Sequence, residues 1–216
     1  MSKKFLIFLA AAFFTLFVFF SYFVHKDVFT SLDFDTTVRI QNHLSRVVDT
    51  SFSLFSLIGS AEIATIILLI IVALTRKLKS FFVLIPYTAI YAFELFGKIF
   101  VTHPGPSYRF FRYDIGFQFP SSYVQPGSSY PSGHSARTAF ISALLLVMVL
   151  NSNKISGFLK LIIISGVIVF DITMLISRIY LGEHWLSDVI GGAILGVSMG
   201  LLASILFTLP KRKGLN

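Results

Sequence analysis

The chain has 216 residues, of which 55% are hydrophobic, 16% aromatic and only 13% charged. A soluble domain usually carries about 25% charged residues, so this composition excludes a soluble nucleic-acid module and a disordered chain. It indicates one membrane-embedded domain over residues 1–216. The absence of cysteine excludes disulfides, thiolate nucleophiles and thiolate metal ligands.

Six apolar segments are long enough to cross a bilayer, because about 20 helical residues span a hydrocarbon core of about 30 Å. We therefore expect an all-α, polytopic membrane bundle. Lys3 and Lys4 could also begin a signal peptide, but the first run is long and no small-residue cleavage site follows it, so we expect a retained anchor. The segments cover about 5–24, 52–75, 81–100, 135–150, 157–176 and 187–209.

The basic residues predict the orientation of these spans. With both termini inside, the cytoplasmic segments hold ten of the 18 lysine and arginine residues and no acidic residue. The positive-inside rule therefore predicts a multi-pass protein of the cell membrane whose N- and C-termini are cytoplasmic. Topology and contact with anionic membrane lipids explain the net charge of +8, and no nucleic acid is needed as a partner. The ten residues are Lys3, Lys4, Arg76, Lys77, Lys79, Lys154, Lys160, Lys211, Arg212 and Lys213.

The first outer loop, about residues 26–50, contains apolar residues at helical spacing. This stripe predicts an amphipathic helix that lies on the outer membrane interface. Its members are Val38, Leu44, Val47, Val48 and Phe52.

Charged, imidazole and hydroxyl groups gather in the second and third outer loops. His184 and Asp188 are four residues apart, so at the start of a helix they would share one face, about 5–6 Å apart at Cβ. A carboxylate at that distance fixes the histidine tautomer and stabilises positive charge as the other ring nitrogen attacks. The pair is typical of a histidine nucleophile with an orienting acid.

A second histidine follows Ser132 and Gly133 at the start of the fourth span. A helix N-terminus suits a phosphate, Gly133 permits close backbone approach, and His134 could protonate a leaving oxygen. Lys98 and Arg178 supply fixed positive charge for phosphate oxygens. This constellation predicts phosphoryl transfer through a phosphohistidine, followed by hydrolysis.

These residues resemble a known family. The run 131–134 (PSGH) and the spacing SRxxxxxHxxxD over 177–188 are similar to the second and third signatures of the type-2 phosphatidic acid phosphatase superfamily, which is related to vanadium haloperoxidases. The resemblance covers residues 98–188 by motif and implies that no metal or other cofactor is needed. It implies His184 as the nucleophile, Asp188 as its partner, His134 as the acid, and a phosphate site of Lys98, Ser132, Gly133 and Arg178.

One position departs from the family pattern. The first signature, KxxxxxxRP, would start at Lys98 and place its arginine at position 105, which is glycine here. Arg137, one helical turn after His134, and Arg112, on the loop, are equally good replacement cations. His103 and Arg109 are further candidates.

The resemblance implies a phosphatase for a lipid phosphate or diphosphate at the outer membrane face. Polyprenyl diphosphate, slightly favoured, phosphatidate and phosphatidylglycerol phosphate are the candidate substrates. A lipid phosphotransferase and a catalytically silent lipid-binding or transport protein remain alternatives, and the oligomeric state is open. A zinc site of His134, His184 and Asp188 is disfavoured, because HExxH is absent and Arg178 would oppose a dication.

Overall fold

A computed structural model describes residues 1–117 and 127–207, and every regular element in these two ranges is helical. The predicted all-α class is therefore confirmed. Short 3₁₀ segments cover Arg46–Val48, Leu57–Gly59, Leu78–Val83, Tyr108–Phe110 and Ile205–Phe207. The α-helices are α1 (Lys3–His25), α2 (Thr30–His43), α3 (Asp49–Ser56), α4 (Ala61–Leu74), α5 (Leu84–Phe100), α6 (Gly133–Asn151), α7 (Gly157–Tyr180) and α8 (Leu186–Ser204).

Among the described residues, five helical segments are long and apolar enough to cross a membrane, or six if one bent pair of helices counts as a span, so the protein is a multi-pass membrane protein. The predicted second span over about 52–75 is not one straight helix. Its two parts, Arg46–Gly59 and Ala61–Leu74, meet at an angle of 51°. The break has a local cause, because Ser60 is extended and its hydroxyl accepts the Ile63 N–H, which starts a new helix.

The predicted outer helix exists, but its buried face differs from the predicted one. Helix α2 ends at His43, so most of the expected apolar stripe lies beyond it, and Val47 is 86% exposed. The residues that α2 buries against the bundle are polar and spaced four apart: Asp33, Thr37 and Gln41. The helix covers the polar end of the bundle, which explains why its contact face is polar.

Helices α6 and α8 pack with their backbones in close contact. Glycines recur every four residues along α8, a pattern that allows membrane helices to approach closely. The Ser132 N–H donates to the Asp188 carbonyl at 3.0 Å, so the start of α6 lies beside the start of α8. A Cβ at Gly192, Gly196 or Gly200 would lie 2.3, 2.1 or 2.5 Å from the carbonyl oxygens of Ser132, Ala136 and Phe140, respectively.

The two ends of the bundle differ in charge. At one end α5 and α7 finish and α6 and α8 begin, and acidic, basic and histidine residues are mixed there. The opposite end contains the amino terminus, which contacts the Asn151 side chain, and basic residues without acids. Seven of the ten predicted cytoplasmic cations belong to described segments at this end, whereas Lys211, Arg212 and Lys213 lie outside the described residues.

Gly196→Ala is expected to destabilise the bundle, because its Cβ would meet the Ala136 carbonyl oxygen at 2.1 Å and the helices would have to separate. Overpacking of this kind costs about 1–3 kcal/mol. Thermal unfolding in detergent measures it against Gly166→Ala in α7, whose Cβ would have nothing within 4 Å. Equal melting temperatures would contradict the close α6–α8 contact.

Candidate active site

A cavity of about 470 Å³ lies at the mixed-charge end of the bundle. Its wall includes both predicted histidines, His134 and His184, and three basic residues: Lys98, Arg137 and Arg178. The structure therefore brings together side chains from α5, α6, α7 and the turn before α8. This convergence is what the two sequence signatures predict.

His184 lies beside Asp188, as the four-residue spacing predicts. Its Nδ1 is 3.4 Å from Asp188 Oδ2, and the same oxygen accepts the Trp185 N–H at 2.9 Å. Asp188 thus caps α8 and partners the histidine at once. Since His184 lines the cavity and its Nδ1 faces the buried Asp188, Nε2 is the ring nitrogen that this carboxylate leaves free.

His134 occupies the first turn of α6 and is largely buried. The break in the second span has a direct role here, because Gly59 packs against the imidazole. A Cβ at Gly59 would lie 3.2 Å from His134 Cδ2. The close fit leaves the ring no free space on that side.

Ser132 and Gly133, both predicted to bind phosphate, have different positions in the structure. The Ser132 hydroxyl accepts from the backbone N–H and the hydroxyl of Ser135, at 3.5 and 3.2 Å, and caps α6. Ser132 is buried and does not line the cavity, whereas Gly133 does. A Cβ at Gly133 would lie 2.3 Å from Glu94 Oε2, so any side chain at this position would displace the carboxylate from its present place.

Arg178 is buried at 3% exposure with unused hydrogen-bonding capacity. Its Nη2 pairs with Glu183, but its Nε and Nη1 have no hydrogen-bond partner among the described residues. Burial raises the pKa of Glu183, and the neighbouring Arg178 opposes that rise. Buried donors are normally satisfied, so two unpartnered nitrogens on an arginine that lines the cavity are an unusual feature of this region.

A single carboxylate holds the other two basic groups in place. Lys98 Nζ donates to Glu94 Oε1 at 2.7 Å, and Arg137 Nη1 donates to Glu94 Oε2 at 3.1 Å. Arg137 Nε also donates to the Gly59 carbonyl at 3.0 Å. Arg137 is therefore the replacement candidate that the structure brings to the cavity.

Arg112 does not reach the cavity, which corrects its equal ranking with Arg137. Its guanidinium donates to the carbonyls of Gln41 and Leu44 at 3.1 and 3.4 Å and lies over the Tyr180 ring. These bonds satisfy carbonyls near the end of α2, which explains why the arginine turns away. Arg109 is exposed outside the cavity wall.

His103 is not a cavity cation either. It is 5% exposed and its Nε2 lies 3.6 Å from Asp188 Oδ1, on the side of Asp188 that faces away from His184. The first outer loop contributes to this region as well, because Asp33 accepts the Ser187 N–H and hydroxyl at 2.8 and 2.7 Å. Sequence reasoning missed Asp33 and Glu183, although the polar four-residue spacing in α2 was a usable signal for Asp33.

The zinc alternative receives no geometric support. The described residues contain no group of three or more histidine, cysteine, aspartate or glutamate side chains placed to hold a metal ion. His134, His184 and Asp188 therefore do not form a three-ligand site.

Comparison with known proteins identifies the family. Residues 78–211, more than half of the chain, match the PAP2 superfamily. The chain belongs to the PAP2 superfamily. No curated protein matches it. The chain therefore has the membrane phosphatase fold of this family.

Two crystal structures are similar to this chain. One is the transmembrane PAP2-type phosphatidylglycerolphosphate phosphatase from Bacillus subtilis, with a TM-score of 0.73, 18% identity and coverage of 90% of this chain and 93% of that chain. The other is Aquifex aeolicus LpxE, with a TM-score of 0.58, 24% identity and coverage of 80% and 94%. At these identities the likeness demonstrates the fold.

Arg137→Gln is expected to lower kcat/KM for a lipid phosphate, whereas Arg112→Gln should leave it within about threefold of the wild type. Loss of one charged donor to a developing oxyanion costs on the order of 10²-fold. Steady-state phosphate release by both variants makes the comparison, with melting temperatures to exclude unfolding. A larger loss in Arg112→Gln would contradict the assignment.

Proposed function

We propose that this protein is an integral membrane phosphatase that hydrolyses a lipid phosphate or diphosphate through a phosphohistidine intermediate. The observation that carries the proposal is that buried Arg178, with two donor nitrogens unpartnered among the described residues, lines the same cavity as His134 and His184. Membership of the PAP2 superfamily supports the same reaction class.

In the first proposed step, His184 Nε2 attacks phosphorus. A nitrogen–phosphorus bond forms, the bond from phosphorus to the lipid oxygen breaks, and His134 gives that oxygen a proton. Asp188, 3.4 Å from His184 Nδ1, stabilises the positive charge that the ring acquires. In the second step, water loses a proton to His134 and attacks phosphorus, the nitrogen–phosphorus bond breaks, and phosphate leaves.

Positive groups on three helices are placed to stabilise the phosphoryl oxygens. Arg178 offers Nε and Nη1, and Lys98 and Arg137 face the same cavity with Glu94 between them. Preorganised charge of this kind stabilises the transition state more than the ground state, because it need not reorganise. With these groups supplying the positive charge, the proposed mechanism uses no metal ion.

The cavity wall also suits a lipid. Ala61 on α4 and Tyr91 and Leu95 on α5 contribute to it, and Leu95 is 61% exposed. A substrate could therefore keep its chains against apolar surface while its headgroup meets the histidines. The similar Bacillus subtilis structure is a phosphatidylglycerolphosphate phosphatase. We propose phosphatidylglycerol phosphate, phosphatidate and polyprenyl diphosphate as the substrates to test.

We further propose that both termini are cytoplasmic and that the cavity opens on the outer face of the cell membrane. The support is the concentration of lysine and arginine at the end of the bundle opposite the cavity. A site at the outer interface would meet lipid headgroups without removing their chains from the bilayer.

His184→Ala is expected to abolish phosphate release, with a fall in kcat on the order of 10⁴-fold or more, as for removal of a nucleophile that acts in a unit. The measurement is phosphate release from the three lipids in detergent with EDTA present, and exposed His25→Ala is the matched control. Undiminished activity in His184→Ala would contradict the mechanism. Phosphorylated acceptor in place of free phosphate would indicate a transferase.

Single cysteines test the orientation, because the natural chain has none. Asn42 lies near the cavity end and Asn153 at the opposite end, and both are exposed. A membrane-impermeant maleimide should label Asn42→Cys in intact cells and Asn153→Cys only after lysis. The reverse pattern would place the cavity in the cytoplasm.

A further inference from the structure

The two oxygens of Asp188 face different neighbours. Oδ2 is occupied by His184 Nδ1 and by the Trp185 N–H. Oδ1 is buried and has no hydrogen-bond partner among the described residues. His103 Nε2 lies 3.6 Å from this oxygen. His103 thus stands on the side of Asp188 opposite the proposed nucleophile.

The surroundings of His103 Nε2 consist of acceptors. Asp33 Oδ2 lies 3.6 Å away, and the Ser187 hydroxyl lies 3.2 Å away. That hydroxyl already donates its hydrogen to Asp33 Oδ2 at 2.7 Å, so toward His103 it can only accept. Nε2 must therefore carry a proton, which it directs toward Ser187 and the two carboxylates.

The loop that carries His103 is fixed on both sides. The His103 carbonyl accepts from the backbone N–H and the hydroxyl of Ser129, at 2.9 and 3.2 Å. The Trp185 indole N–H donates to the Pro104 carbonyl at 2.8 Å. These bonds fix the backbone at His103 and Pro104, and the imidazole lies between Asp33 of α2 and Asp188 of α8.

His103 lies between two buried carboxylates, Asp33 and Asp188. Asp33 and Asp188 are 2% and 0% exposed, and burial raises the pKa of Asp33 while the Ser187 hydrogen bonds oppose the rise. The other titratable groups around Asp188 are His184 in the turn before α8 and Tyr130 before α6. Two buried carboxylates that share a site cannot both stay ionised without a compensating donor.

We propose that His103 is a positioning residue whose Nε2 N–H lies between the carboxylates of Asp33 and Asp188 and keeps Asp188 aimed at His184. The proposal rests on the proposed histidine nucleophile. It extends the functional assembly to α2, which lies outside the residues that match the PAP2 superfamily. It also assigns to the first outer loop a task beyond membrane contact.

His103→Gln tests the proposal, because glutamine keeps an N–H donor but cannot carry charge. Without the imidazole, one of the two carboxylates should retain a proton, so the acidic limb of the kcat profile should move up by about one pH unit. At pH 6 kcat should fall about 10–100-fold, as for loss of a partner that orients a first ligand. KM should change little, because His103 does not line the cavity.

Asp33→Asn should move the same limb in the opposite direction. It removes one of the two negative charges beside the His103 N–H, and the double variant should return toward the wild type. His43→Gln, exposed at the end of α2, is the matched control and should leave the profile unchanged. Single variants with the wild-type profile would overturn the proposal. A rise in KM at constant kcat in His103→Gln would instead make His103 a phosphate-binding cation and also overturn it.

Thermal unfolding provides a readout that needs no activity. In His103→Gln a carboxyl that binds a proton only in the folded state would stabilise the protein at low pH and lose that effect as pH rises. The difference in melting temperature between this variant and the wild type should therefore change between pH 5 and pH 8. A constant gap would contradict the proposal. If the wild type releases no phosphate, the proposed function is contradicted. The comparison of melting temperatures would then still test the role of His103.

Discussion

Charge compensation at one end of an apolar bundle is the constraint on which the rest of the structure depends. Ionisable groups at membrane depth are costly unless they are paired. Glu94 joins Lys98 to Arg137, and Glu183 holds one end of Arg178. The cavity is thus lined by cations whose charge is balanced locally, and Arg178 among them has two nitrogens without a partner in the described part of the chain. An arriving phosphate would compete with carboxylates for groups that are already in position, so little reorganisation would be needed.

Helix packing brings this charge cluster together. The glycine row of α8 lets α6 approach until the Ser132 N–H meets the Asp188 carbonyl, and the two histidine-bearing segments become neighbours. The broken second span adds the third side, because Gly59 packs on His134 and its carbonyl holds Arg137. If the helix continued straight through position 60, it would not present the Gly59 carbonyl to Arg137. The break therefore belongs to the architecture of the cavity.

Much of the site could be predicted from the sequence, because its signatures lie on helix ends where spacing fixes which side chains are neighbours. His184 and Asp188 are the clearest example. The choice between Arg112 and Arg137 could not be made, since it depends on carbonyls of α2 that fold onto the loop. The apolar stripe in the first outer loop predicted the wrong buried face for α2, because that face is also determined by residues distant in the sequence. Asp33 belongs to a polar face whose partners, Ser187 and His103, are distant in the sequence.

A crystal structure with orthovanadate bound would test the central claim most directly, because vanadate adopts the geometry of phosphate under attack. The account predicts vanadium bonded to Nε2 of His184, with the His134 ring on the opposite side and the vanadate oxygens on Lys98, Arg137 and Arg178. Vanadium bonded to another residue, or located away from both imidazoles, would contradict it.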